Sequence, residues 1–121
     1  MATWANALTE NKLDIESGGP AIVWEIASHD IGISGVEDLY EARIDCRGKT
    51  AKQLTLGGIT VESGTGVPKI YAVWMNEAGT ELSEQELTVG VNKVVGLFVM
   101  LRVRETGGAA IATYSAAVRL D

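Results

Sequence analysis

Histidine and cysteine occur once each in this chain, as His29 and Cys46. A structural zinc site needs three or four Cys or His ligands, so this shortage argues against one. With Cys46 alone, no internal disulfide can form. Hydrolases and transferases usually place a base that works near neutrality, and His29 is the only imidazole on offer. No Gly-x-Ser-x-Gly elbow accompanies it, and His29-Asp30 reads as part of a loop between strands. The Gly-rich run Ser63 to Gly66 lacks the Gly-Lys-Ser/Thr ending of a phosphate-binding loop. Basic residues are also scarce, ten against sixteen acidic ones, for a net charge of −6. That field repels phosphate backbones and anionic lipid, so neither nucleic acid nor a membrane is an expected partner. No apolar run approaches the ~18 residues of a membrane span. The start, Met1-Ala2-Thr3-Trp4, has neither the basic head nor the apolar middle of a signal peptide. The expectations are no enzyme activity, no metal, no cofactor and no secretion by a signal.

What the chain does have is apolar residues, 46% of the total, in a length that suits one domain with one core. Val, Ile, Thr and Gly favour strands and turns over helices. Residues 1–12 read as an N-terminal arm, in which Trp4 and Leu8 fall at helical spacing and offer an apolar patch on a short turn. Residues 13–121 read as the folded domain. After the break at Ser17-Gly18-Gly19-Pro20, Ala21 to Ser28 is a strand with Ile22, Trp24 and Ile26 on one face. Tyr40, Ala42, Ile44 and Cys46 alternate with Glu41, Arg43 and Asp45, which predicts a strand from Leu39 with Cys46 turned inward. A capping-box pattern at Ser34-Gly35-Val36-Glu37 competes, giving a short helical turn over 35–39. Leu54 and Leu56 run into Gly57-Gly58, read as a bulge or bend before Ile59 and Val61. Lys69 to Asn76 is apolar on both sides, Asn76-Glu77-Ala78-Gly79 is a hairpin turn, and Leu87, Val89 and Val91 alternate as a further short strand.

The C-terminal third is the most apolar part. Val94 to Arg104 and Ala109 to Leu120 read as two long strands joined through Glu105-Thr106-Gly107-Gly108 as a β-hairpin. Val95, Leu97, Val99, Leu101 and Val103 make one face, and Phe98 and Met100 stand on the other, where a surface strand carries polar residues. A second covering layer is therefore expected, from the domain or from another chain. The string Leu97 to Gly108, followed by Ser115 to Leu120, resembles the last hairpin of fibronectin-type or bacterial Ig-like domains. Arg102 and Arg104 share a face and are expected to pair with carboxylates across strands. The acidic group Glu37, Asp38, Glu41 and Asp45 lacks the spacing of a calcium loop and reads as solvated charge.

Seven or eight short strands with regular turn signals predict an all-β, single-domain β-sandwich of Ig-like or jelly-roll type with a long C-terminal hairpin. The expected function is structural. The chain is read as a small virion accessory protein, such as a phage capsid-decoration or cement protein, assembled in the host cytoplasm. Its partners are then protein: a second copy of itself, a capsid-like shell, or both. The residues expected to meet them are Trp4, Leu8, Phe98, Met100, Arg102 and Arg104. The alternative is a carbohydrate-binding or adhesion module using Trp4, Tyr71 and Tyr114 as stacking rings, with Trp24 and Trp74 assigned to the core.

Overall fold

The computed structural model describes residues 8–11, 21–38, 44–47 and 52–121. Ten strands lie among them: β1 (Leu8–Asn11), β2 (Ala21–Ile31), β3 (Val36–Asp38), β4 (Ile44–Asp45), β5 (Gln53–Gly64), β6 (Pro68–Met75), β7 (Glu81–Glu86), β8 (Gly90–Lys93), β9 (Phe98–Glu105) and β10 (Ala112–Leu120). They form two antiparallel sheets, and no helix occurs among the described residues. The first sheet has the order β1-β2-β10-β5-β8. The second has the order β3-β9-β6-β7, with β4 also pairing with β9. The all-β class and the two-sheet architecture are those the alternating patterns predict, with ten strands among the described residues where seven or eight are expected.

Period-2 alternation builds the core. Ile22, Trp24 and Ile26 of β2, Leu54 and Leu56 of β5, and Tyr114, Val118 and Leu120 of β10 point inward from one sheet. Ile70, Ala72 and Trp74 of β6 meet them from the other, with Val99, Leu101 and Val103 of β9. Cys46 is buried in the same cluster. Trp74 finds a partner for its indole N–H in Gln85 Oε1 at 3.1 Å. Gly57 and Gly58 both fall opposite Ala117, a bulge as the glycine pair predicts. Gly58 has φ +117, a conformation that L side chains rarely adopt.

The C-terminal hairpin does not form. β9 lies between β6 and the β3/β4 edge, whereas β10 is the central strand of the other sheet, between β2 and β5. The residues between them, 106–111, carry the chain from sheet to sheet. Gly107-Gly108 serves such a crossing as readily as a tight turn, because both need left-handed backbone, here φ +75 at Gly108. Hydrogen bonds hold the crossing to its neighbours: Thr106 N and Oγ1 both donate to Val67 O, Thr65 N and Gly66 N to Ile111 O, and Ser34 Oγ to Gly108 O. Gly64 is packed hard against this crossing, since a Cβ there would stand 2.4 Å from Ile111 O.

Other expectations also change. β9 begins at Phe98, so Val95 and Leu97 belong to the β8–β9 connection and are exposed, at 62% and 55%. The helical turn over 35–39 is replaced, through Asp38, by strand β3, because β9 offers Val36–Asp38 a ladder of backbone partners. His29 and Asp30 lie within β2, not in a loop. Strand β5 continues to Gly64, which shortens the expected loop to Thr65–Val67. Val89 and Val91 do not share the inward face of Leu87: both are exposed, and Asn92 turns inward in their place. The predicted strand around Leu39 to Arg43 lies outside the described residues except for its end, Ile44–Asp45. At β6–β7 the Asn76–Gly79 turn forms as expected, with Asn76 Oδ1 accepting from Thr80 N at 2.9 Å.

Candidate functional site

Arg102 and Arg104 project from the outer face of the second sheet, as their spacing on β9 requires. Arg102 Nε donates to Asp38 Oδ1 of β3 at 2.6 Å, and its NH2 donates to Glu81 Oε2 of β7 at 2.8 Å. Its side chain is only 12% exposed. The Glu81 and Asp38 bonds together push the guanidinium pKa above its ordinary value. Arg104 NH2 donates to Glu84 Oε1 at 2.7 Å, and its guanidinium lies 5.7 Å from the centre of the Tyr71 ring. That bond holds the Glu84 carboxyl below the usual range. The expected cross-strand pairing is thus present, with β3 and β7 supplying the carboxylates. Glu105 faces the interior instead, where its Oε2 accepts from Gly107 N and its Oε1 has no hydrogen-bond partner.

Phe98 and Met100 share this outer face and are buried, at 6% and 5% exposure. Arg47 stacks its guanidinium 5.0 Å from the Phe98 ring centre. A partner would meet these two residues only after the side chains over them moved. Leu8 sits in edge strand β1, its backbone opposite Trp24. Trp4 lies outside the described residues. Of the positions expected to meet a partner, Phe98, Met100, Arg102 and Arg104 thus share β9 in the second sheet, while Leu8 belongs to a strand of the first.

The polar groups that might do chemistry are separated by the sheet itself. His29 points inward, its Nε2 2.7 Å from Glu37 Oε1, and its ring stands edge-on to Tyr114 with centroids 5.9 Å apart. The hydroxyls of Ser28 and Ser115 both donate to Glu62 in an exposed group beside the outer surface of the same sheet. These two bonds lower the Glu62 pKa. Base and nucleophile are thus directed to different partners, and nothing in this geometry aligns them for acyl transfer. Of the acidic group weighed for calcium, Glu37 pairs with His29, Asp38 with Arg102, and Asp45 with Arg47, so these carboxylates diverge. Glu41 lies outside the described residues. No group of three or more metal-ligating side chains occurs among the described residues.

Two hollows open on the first sheet. One, of about 240 Å³, lies beside Asp30, Ser63, Gly64 and Thr113 at the end of the sandwich. The other, of about 370 Å³, is a shallow trough over β10 between Glu25, Gly57 and Ser115. Neither is lined by an aromatic ring. Tyr114 is fully buried, Trp24 and Trp74 are core residues, and Tyr71 is half-buried beside Arg104. Of the rings assigned to sugar stacking, Tyr114 is inside the fold, which removes it from a glycan surface.

What sequence reasoning missed is the side of the sandwich bounded by β8. Val89, Val91, Val95 and Leu97 are 73%, 63%, 62% and 55% exposed, a run of large apolar side chains within nine residues. A signal for it was present: from Leu87 to Arg104 the chain has no Asp or Glu, although the whole is strongly acidic. Alternation alone does not separate them from core residues, and it leaves open whether the domain or another chain covers them. No protein-family model, curated protein or solved structure matches this chain.

Proposed function

We propose that this chain is a non-enzymatic assembly protein, a small virion accessory of the capsid-decoration or cement kind that packs on a shell or on itself. The observation that carries the reading is the exposed apolar run Val89, Val91, Val95 and Leu97 at an acid-free edge of an otherwise acidic β-sandwich. Scattered exposed apolar residues need no explanation, but a concentrated group marks a surface that another protein covers. This surface takes the place of the Phe98/Met100 face, which the chain already covers. The virion setting is inferred from small size, acidic charge and a rigid β-fold with its polar side chains paired among themselves, features that suit packing more than turnover.

The test is sedimentation of the purified chain over a range of concentrations, alone and mixed with assembled, undecorated phage capsid shells. The expected result is self-association, co-sedimentation with shells, or both, lost in a Val95→Glu/Leu97→Glu variant that keeps its thermal midpoint. A wild-type chain that stays monomeric at every concentration and remains in the supernatant with shells would sink the proposal.

A further inference from the structure

We infer that β8 is a pairing edge for a second copy of this chain, joined antiparallel about a two-fold axis at Asn92 so that the β1-β2-β10-β5-β8 sheet runs on into its partner. This rests on the assembly reading and names the partner and the bonds.

The argument starts from the backbone. β8 pairs with β5 in the register Gln53↔Lys93 to Leu56↔Gly90, and Val94 N donates to Lys52 O. In an antiparallel ladder, alternate residues turn their N–H and C=O groups to opposite sides. Val94, Asn92 and Gly90 therefore face β5, while Val91 and Lys93 turn their backbone groups away from it. Among the described residues no strand lies beyond β8. Val91 and Lys93 are both exposed, so their donors and acceptors form an open template for another strand.

The edge is held in shape from within. Asn92 is 7% exposed and fixes its own turn: Oδ1 accepts from Thr88 N at 2.9 Å, and Nδ2 donates to Thr88 O at 2.8 Å, to Gly90 O and to Leu54 O. A rigid strand loses less conformational freedom on pairing than a mobile one.

Two features select a second copy as the occupant. The first is register. Placing Asn92 opposite Asn92 sets Val91 against Lys93 twice, which matches every outward backbone group of both residues, and brings Val89 opposite Val95. In the run Val89-Gly90-Val91-Asn92-Lys93-Val94-Val95 the one charge, Lys93, meets Val91 and not a second lysine, and valines lie on both sides of the midpoint, the self-complementarity that an isologous contact requires. The second is charge. Two copies of net charge −6 repel each other, and like charges directly opposite one another destabilise a strand pair. The other edges carry acids: Glu10 on β1, Glu37 and Asp38 on β3, Asp45 on β4, and Glu81, Glu84 and Glu86 on β7. β8 is the one described edge strand that carries no Asp or Glu.

The experiment compares self-association of wild type, Val91→Thr and Val91→Pro by sedimentation equilibrium, with thermal midpoints as the check on folding. Proline at 91 removes an outward N–H and leaves the bonds to β5 intact, a position that an edge strand tolerates. Wild type should dimerise, Val91→Thr should retain dimerisation, and Val91→Pro should weaken it roughly tenfold or more through bonds lost in both copies. Hydrogen exchange on the wild-type chain gives a readout free of any variant: the Val91 and Lys93 amides should gain protection as concentration rises. Dimerisation unchanged in Val91→Pro, with no added protection at Val91 and Lys93, would overturn the strand pairing while leaving assembly through the apolar side chains intact. A chain that binds shells but never itself would also overturn it, again without touching the assembly reading.

Discussion

His29 of β2 and Glu37 of β3 tie one sheet to the other, with Nε2 lying 2.7 Å from Oε1. The pair closes the interior beside Tyr114, where the side chains of His29 and Glu37 are 16% and 32% exposed. A charged or strongly polar bridge between sheets does not rank with apolar burial as a source of stability, but it fixes how the two sheets sit at this end. A double-mutant cycle with His29→Ala and Glu37→Gln should give a coupling of about 1 kcal/mol, read from urea unfolding at neutral pH. Additive effects of the two changes would mean that the contact contributes nothing of its own.

Tyr114 presents the opposite case. Its hydroxyl is buried with no hydrogen-bond partner, and burial first, then the nearby Glu37 charge, raises its pKa above the ordinary 10.0. An unsatisfied hydroxyl costs about 1–3 kcal/mol of desolvation, so Tyr114→Phe should be neutral or stabilise by about 1 kcal/mol. The pH dependence has a definite sign. Above about pH 10 the unfolded chain releases the phenolic proton while the folded chain keeps it, so stability is full below that pH and falls as pH rises. Tyr114→Phe should flatten that alkaline decline in a series of unfolding curves. An identical decline in both proteins would assign it to other groups.

At the acid end the carboxylates govern. Arg104 holds Glu84 below the carboxylate value of 4.5, and Ser115 and Ser28 do the same for Glu62. Arg47 takes Asp45 from 3.8 down to about 2. As pH falls, the unfolded chain takes up protons before the folded one, so the stability these contacts give is present above about pH 4.5 and is lost as pH drops toward 2. Arg104→Met removes the main cause of the Glu84 shift and should make the decline between pH 4.5 and the Glu84 value shallower. Thermal midpoints measured against pH for the two proteins check this, and parallel curves would refute it.

The parts of the fold legible in the sequence are those where one residue type implies one environment. Ile22, Trp24 and Ile26 alternate with polar neighbours, so their inward face follows from the two-residue period. The glycine pair at 57–58 marks a bulge because left-handed backbone excludes most side chains. Strand partners are different, since local pattern does not encode which sheet a strand joins. β9 and β10 look like a hairpin because both are long, apolar and joined through Gly107-Gly108, and it is the pairing of β9 with β6 and of β10 with β2 and β5 that makes the connection a crossing. The candidate site was illegible for a related reason. Phe98 on β9 and Val91 on β8 are both large and apolar, yet the first, on a strand flanked by β4 and β6 with Arg47 over its ring, is buried, and the second, on an edge strand, is exposed.

The ion-pair network on the second sheet gives the sharpest test of what holds that layer together. Arg102 lies between β3 and β7 and neutralises Asp38 and Glu81, with Glu84 3.5 Å from its NH1. Its side chain is 12% exposed, so solvent screens these bonds less than it would those of a surface pair. Removing the guanidinium leaves three carboxylates near one another, and the repulsion adds to the lost bonds. Arg102→Met, which keeps most of the apolar stem, should therefore cost about 2 kcal/mol in urea unfolding. Arg102→Lys should recover only part of this, because an ammonium cannot fork to Asp38 and Glu81 at once. Added salt should reduce the penalty in the Met variant by screening the exposed carboxylates. A Met variant within about 0.5 kcal/mol of wild type at low salt would show that desolvation of the guanidinium offsets its pairing and that the apolar residues beneath hold the layer unaided.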